Sequence, residues 1–262
     1  MGEHTPWHDL PAATRDAVAA RTGRIRHVTP VADGLTCAMA AILDTEHGDM
    51  FVKGVPVADA QGVAAQQRER EANPAARPAS PRLLWRADAG GWDLLAFDAV
   101  PGRHANLASP SDRALVAEAL LAVQDVRAPG GLPRFADRFA GHLGAGDLAL
   151  LDGDALLHTD TNPHNLLVGD GRAWVVDWAM ASRGPAWVDV AHTAVRLMEA
   201  DCTPAEALEW AARFPSWRSA DPAGLAAFVR VVCREWEAVV GSVAAGSSNS
   251  RYLALLGMPA RA

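Results

Sequence analysis

Lysine is almost missing from this chain of 262 residues: all but one of its 24 basic side chains are arginine, and the exception is Lys53. Cysteine is scarce too. Cys37, Cys202 and Cys233 are odd in number, widely spaced and without a C-x-x-C pair, which argues against a disulfide framework and against a zinc site. That usage suits a reducing cytoplasm, the expected location. No apolar run approaches the roughly 20 residues of a membrane span, and residues 1–10, which carry Glu3 and Asp9, do not resemble a secretory leader. A net charge of −7 is the wrong sign for a nucleic-acid partner, since phosphate contacts call for clustered cations. It is compatible with a cationic small molecule, although overall charge speaks as much to solubility.

What is present is ordinary in bulk. Half the residues are hydrophobic (50%) and 21% are charged, so a chain of this length buries a sizeable core. Lys53 sits inside Met50-Phe51-Val52-Lys53-Gly54-Val55, an apolar strand in which an unpaired cation is costly. It therefore needs acidic company, unless the strand lies at an edge and the lysine points to water. A helix over about 59–73, capped by Asp59, offers Glu69 and Glu71. Both have small apolar residues on their own helical face, so periodicity does not choose between them. Upstream, strands over 25–31 and 38–43 flank the turn Ala32-Asp33-Gly34-Leu35-Thr36. Downstream, a strand over 92–97 runs into Asp98-Ala99-Val100-Pro101-Gly102, where Pro-Gly marks a turn.

The densest chemistry lies between His158 and Asp177. Ala155-Leu156-Leu157 leads as a short strand into His158-Thr159-Asp160-Thr161-Asn162-Pro163-His164-Asn165. Proline at 163 pushes Asn162 out of the helical region, so Asp160 and Asn165 share one tight loop. Two β-prone runs, 166–168 and 173–176, flank Gly169-Asp170-Gly171, a hairpin signal that returns Asp177 toward Asn165. One carboxylate to receive a hydroxyl proton, plus oxygen ligands for Mg²⁺ beside nucleotide phosphates, is what phosphoryl transfer requires. Asp160, Asn165 and Asp177 supply that set. Taken singly, each is also an ordinary turn residue, and His158, Asp160 and His164 are possible transition-metal ligands, although no second His/Cys cluster completes such a site.

The H-x-D-x-x-x-x-N motif followed by a strand ending in aspartate resembles the aminoglycoside phosphotransferase family, small-molecule relatives of protein kinases. The similarity extends from about residue 25 to about 215. It implies a two-lobe, protein-kinase-like α+β fold, with a nucleotide lobe over residues 1–100, a hinge near 98–102 and a mainly helical acceptor lobe over 101–262. By the same resemblance Asp160 is the catalytic base, Asn165 and Asp177 hold Mg²⁺, and Lys53 binds phosphates while paired with Glu69. Gly34 and Thr36 cover the phosphates, although this turn has one glycine where protein kinases have three. The Asp98 carbonyl and Val100 amide would meet the adenine of ATP or GTP. Asp189 would brace the catalytic loop, where the residues alone equally allow a first-turn helix carboxylate. The implied activity is phosphorylation of a hydroxyl on an antibiotic or metabolite. The alternative is a nucleotide-binding regulator that keeps the fold without turnover.

Beyond the hairpin, helices are expected over 187–200, 204–214 and 221–240, with Pro204 and Pro222 at or near their starts. Residues 244–250, small and polar, are expected to form a linker. Neither they nor the 104–145 region carries a readable acceptor motif.

Overall fold

Alternating aliphatic runs and turn signals in the first hundred residues fold as one antiparallel sheet. The structure, a computed structural model, describes residues 4–31, 37–141 and 144–257. Strands β1 (Ile25–Pro30), β2 (Met39–Thr45), β3 (Gly48–Pro56), β4 (Leu83–Ala89) and β5 (Trp92–Asp98) stand in the order β1-β2-β3-β5-β4. The strands foreseen from sequence lie within one to three residues of these bounds. The turn holding Gly34 and Thr36 lies outside the described residues.

β3 is a central strand, and its register sets Lys53 between Ala40 of β2 and Leu95 of β5. Successive side chains alternate faces. Val52 joins Leu43, Leu94 and Ala96 in an apolar cluster completed by Leu10 and by Val18 of α1 (Ala12–Thr22), which leaves Lys53 on the other face. Helix α2 (Ala60–Ala76) follows β3, and Asp59 caps it by accepting from the Gly62 N–H at 3.0 Å.

α2 runs three residues beyond the expected end at Asn73, straight through Pro74. Proline removes one helical hydrogen bond, but tertiary contacts outweigh that loss. The Asn73 side chain donates to Pro81 O (2.8 Å) and accepts from Leu83 N–H (2.9 Å), while Ala72 and Ala76 sink into the apolar core of the C-terminal half.

That half is mainly helical. β6 (Arg103–His104) pairs with β8 (Leu166–Gly169), which pairs with β9 (Arg172–Val175), and β7 (Ala155–Leu157) pairs with β10 (Ser182–Gly184). Asp170 and Gly171 both adopt positive φ, at 51° and 73°, the twist that a tight β8–β9 hairpin favours. Around these small sheets stand α3 (Pro110–Leu121), α4 (Ala145–Leu150), α5 (Val188–Glu199), α6 (Pro204–Ala211), α7 (Pro215–Arg218), α8 (Pro222–Val240) and α9 (Ser242–Ala254). Phe135, Trp178, Val188 and Phe228 anchor their shared core.

The linker expected over 244–250 is instead the middle of α9. Its alanines, serines and glycine carry no apolar stripe, so the helix draws on packing rather than amphipathicity. Ala245, Asn249 and Tyr252 form its buried face, and Asn249 Nδ2 donates to Glu237 Oε1 of α8 at 2.9 Å.

Candidate active site

Lys53 is 4% exposed and sits against two carboxylates. Its Nζ lies 2.5 Å from Glu69 Oε2 and donates to Asp177 Oδ1 at 2.8 Å. The first contact is an ion pair without hydrogen-bond angles, and the directed bond goes to Asp177. Burial disfavours the ammonium, but Asp177 and Glu69 outweigh it and hold the lysine above its ordinary pKa, so the cation persists. Burial pushes the Glu69 carboxyl up, against the lowering field of Lys53. Glu71, the other candidate, faces elsewhere and accepts from Gln67 Nε2 at 2.6 Å.

The catalytic-loop residues are tied into one knot. Asn165 Nδ2 donates to the Asp160 backbone carbonyl (2.9 Å) and to Asp160 Oδ2 (3.0 Å), and Asn162 Nδ2 donates to Asp160 Oδ1 (2.9 Å). The Asp160 carboxylate is thus aimed by two amide side chains while staying half-buried. Val176 N–H donates to Asn165 O at 2.9 Å, so the residues flanking the hairpin are stitched together and Asp177 follows immediately. Asp177 itself adopts a left-handed backbone (φ 62°, ψ 63°), an uncommon choice outside glycine that aspartate tolerates.

Beneath the loop, Asp189 in the first turn of α5 accepts from two successive backbone N–H groups, His158 at 2.6 Å and Thr159 at 2.7 Å. Thr159 is held at φ 66° and its hydroxyl donates to Met180 O at 2.8 Å. His158 is fully buried: Nε2–H donates to Val176 O (2.9 Å) and Nδ1 accepts from Asp160 N–H (3.2 Å). With both ring nitrogens occupied, His158 has none for a metal. His164 packs edge-on against His104 at 5.2 Å, and among the described residues no cluster of three or more His, Cys, Asp or Glu could hold an ion.

A cleft of about 210 Å³ opens beside this machinery. Asp98, Ala99 and Val100 line its rear, Ile42 and Phe51 come from the sheet lobe, Leu167 and Val176 from the helical lobe, and Glu69 and Asp177 stand at its polar end. Val100 N–H meets no backbone acceptor among the described residues. The structure thus brings together Lys53, Glu69, Asp177, Asp98 and Val100 around one cleft, with Asn165 and Asp160 stitched to its edge. The apolar walls Ile42, Leu167 and Val176 went unread in the sequence because they look like any strand residues.

Arg68 and Arg138 were also unread. Arg68 Nε donates to Ala179 O at 2.7 Å, and Arg138 donates to Met180 O and, at 2.8 Å, to Ser182 Oγ. Two guanidinium groups therefore grip consecutive carbonyls of the 3-10 turn Trp178–Met180 that follows Asp177.

Comparison with known proteins bears on the same elements. The sequence profile of the phosphotransferase enzyme family matches residues 132–228, the stretch that holds Asp160, Asn165, Asp177 and Asp189. No curated protein matches the chain by sequence. Among solved structures, a thermostable mutant of aminoglycoside phosphotransferase APH(4)-Ia superposes with a TM-score of 0.62 at 15% identity, covering 92% of this chain and 98% of that one. Choline kinase LicA from Streptococcus pneumoniae gives 0.60 at 11% identity, with 93% and 97% covered. An aminoglycoside phosphotransferase from Streptomyces rimosus, solved with ADP and streptomycin, gives 0.57 at 18% identity, with 84% and 96% covered. The fold is therefore the two-lobe, protein-kinase-like α+β fold, and the resemblance to the aminoglycoside phosphotransferase family holds.

Proposed function

We propose that this protein is a small-molecule kinase that transfers the γ-phosphoryl group of ATP or GTP to a hydroxyl of an antibiotic or metabolite. The observation that carries the reading is the double contact of Lys53, with Glu69 and with Asp177, at the polar end of the interlobe cleft. A buried lysine with two carboxylates has a reason when a polyphosphate is to be placed beside it. The adenine or guanine ring would lie between Ile42, Leu167 and Val176 and meet the Asp98 carbonyl and the Val100 N–H. Residues 1–100 would serve as the nucleotide lobe and 101–262 as the acceptor lobe. Gly34 and Thr36, outside the described residues, would cover the phosphates.

The oxygen donors at the cleft suit Mg²⁺. Asn165 commits its Nδ2 to Asp160, leaving Oδ1 as an oxygen donor, and Asp177 offers a carboxylate that lines the cleft. Hard oxygens in small number, completed by phosphates, are what Mg²⁺ takes. Bound there, the ion would neutralise charge on the β- and γ-phosphates. The protein's own part in the chemistry falls to Asp160. Its carboxylate, aimed by Asn162 and Asn165, would orient the acceptor hydroxyl and take its proton as the new O–P bond forms and the nucleoside diphosphate leaves. Positioning and charge supply most of the catalysis.

Asp160→Asn keeps the shape of this side chain and removes its charge. Turnover, measured as ADP release with an acceptor found by screening aminoglycosides, macrolides, peptide antibiotics and amino alcohols, should fall by roughly 10² to 10⁴. Nucleotide affinity by calorimetry should stay within a few-fold. A mutant that turns over like wild type would make the loop architectural, and the protein a nucleotide-binding regulator.

A further inference from the structure

The 3-10 turn after Asp177 is gripped by two cations with no carboxylate in direct contact among the described residues. Arg68, on α2 beside Glu69, and Arg138, in the 3-10 turn Phe135–Phe139, are both half-buried. Among the described residues neither makes an ion pair. Their neighbours differ. Asp137 pairs with Arg134, Glu199 with Arg196, and Asp154 with Arg127 and Arg183. Asp189 and Asp160 reach Arg138 only through space, and Asp189 is committed to the His158 and Thr159 N–H groups. Arg68 uses only Nε on Ala179 O, and Arg138 uses one terminal nitrogen on Met180 O and Ser182 Oγ. The remaining N–H donors of two planar guanidinium groups are thus unmet by any described residue.

Their position ties them to the chemistry. The Met180 carbonyl gripped by Arg138 also accepts from the hydroxyl of Thr159, the residue immediately before Asp160. Burial and the Arg68 guanidinium push Arg138 down to about 10, against the smaller opposing fields of Asp189 and Asp160. Two like charges held together and partly desolvated are unfavourable, and an anion between them relieves both costs at once. Arginine's fork also matches a carboxylate or phosphate bidentately.

We propose that Arg68 and Arg138 form an anion subsite that receives a carboxylate or phosphate group carried by the acceptor, whose hydroxyl reaches Asp160. The inference rests on the kinase reading for the identity of the ligand as acceptor, but the subsite itself does not. It sets the substrate class apart from the cationic one that the net charge of −7 allows: the acceptor is a hydroxy acid or a phosphorylated alcohol.

Two experiments separate the subsite from the activity. In the first, the protein with its nucleotide site saturated is titrated calorimetrically with malonate and with malonamide, which has the same skeleton without charge. Malonate should bind at least about tenfold more tightly, and Arg68→Gln and Arg138→Gln should each cost roughly tenfold, the worth of a charge-assisted contact. Arg138→Lys, which keeps the charge and guards against a folding defect, should retain part of the affinity. Equal binding of the two compounds, or unchanged malonate affinity in both glutamine variants, overturns the subsite. In the second, ADP release is compared across matched hydroxy acids, hydroxy amides and amino alcohols. The hydroxy acid should lead in kcat/KM, and Arg68→Gln should erase that preference through KM. A lead for the amino alcohol overturns the proposal. Malonate binding without turnover on any acceptor would sink the kinase reading and leave the subsite standing.

Discussion

Lys53 is the residue on which the site turns. It contacts Glu69 and Asp177 within 2.5–2.8 Å in a pocket with almost no solvent. Arginine would keep the charge but replaces a compact ammonium with a wide planar fork that the same space does not hold. Lys53→Arg should therefore lose turnover by about 10² or more while remaining folded, nearly as fully as Lys53→Ala. Near-normal kcat/KM in the arginine variant, alongside a native circular dichroism spectrum, would show that Lys53 has no part in nucleotide geometry. At this scale the sequence was informative wherever a residue type is rare or a spacing is rigid. One lysine in an apolar strand, and an aspartate and asparagine five apart around a proline, announce themselves. Glu69 did not stand apart from Glu71, because both lie on a helix whose small residues surround it. The family resemblance alone pointed to Glu69, and the position of α2 against β3 sets Glu69 rather than Glu71 beside Lys53. Arg68 and Arg138 were hidden by abundance, since arginine supplies nearly every cation in this chain.

Elements carry constraints of another kind. Residues 101–102, part of the proposed hinge, pass over β8 so closely that side chains are excluded. A Cβ on Gly169 would stand 2.3 Å from the Pro101 carbonyl oxygen, and one on Gly102 would stand 2.6 Å from the Val168 oxygen. Both obstacles are backbone and have little room to yield. Gly169→Ala should destabilise the protein by about 1–3 kcal/mol, the cost of overpacking, and should weaken nucleotide binding because the hinge backbone is displaced. Urea denaturation and calorimetry check the two effects. A fully stable variant with unchanged affinity would mean that the hinge gives way freely. The strands were legible because aliphatic runs bounded by turn residues leave few alternatives. The ends of α2 and the whole of α9 were not, since what carries them is contact with other parts of the chain: Asn73 reaching residues 81 and 83, and Asn249 reaching α8.

For the whole molecule, one buried imidazole should add to the loss of stability in acid. His192 keeps a fraction of its surface as a residue, but its ring is walled by Phe135, Phe228 and Tyr252, and Nδ1 lies 2.9 Å from the Tyr252 hydroxyl oxygen. Burial, with the nearby Arg196 and Arg138 cations and His158, pushes it down from 6.5 to about 3. Between those values the unfolded chain takes up a proton that the folded one refuses, so stability is complete above pH 6.5 and declines as the pH falls toward 3. At pH 5 the loss from this group is roughly 2 kcal/mol. His192→Gln should flatten the stability profile over that range in denaturant titrations, and an unchanged slope would assign the acid sensitivity to other groups.

Helix α2 belongs to both halves of the molecule. Its middle presents Glu69 to the sheet lobe, while Ala72 and Ala76 lie in the same apolar cluster as Phe135 and Trp178. Many kinases are governed by swinging the corresponding helix outward, which parts lysine from glutamate. Here that lever is bolted at one end: moving it would open a void in the core of the opposite lobe and tear Asn73 from residues 81 and 83. A kinase built this way would have no off position of that sort.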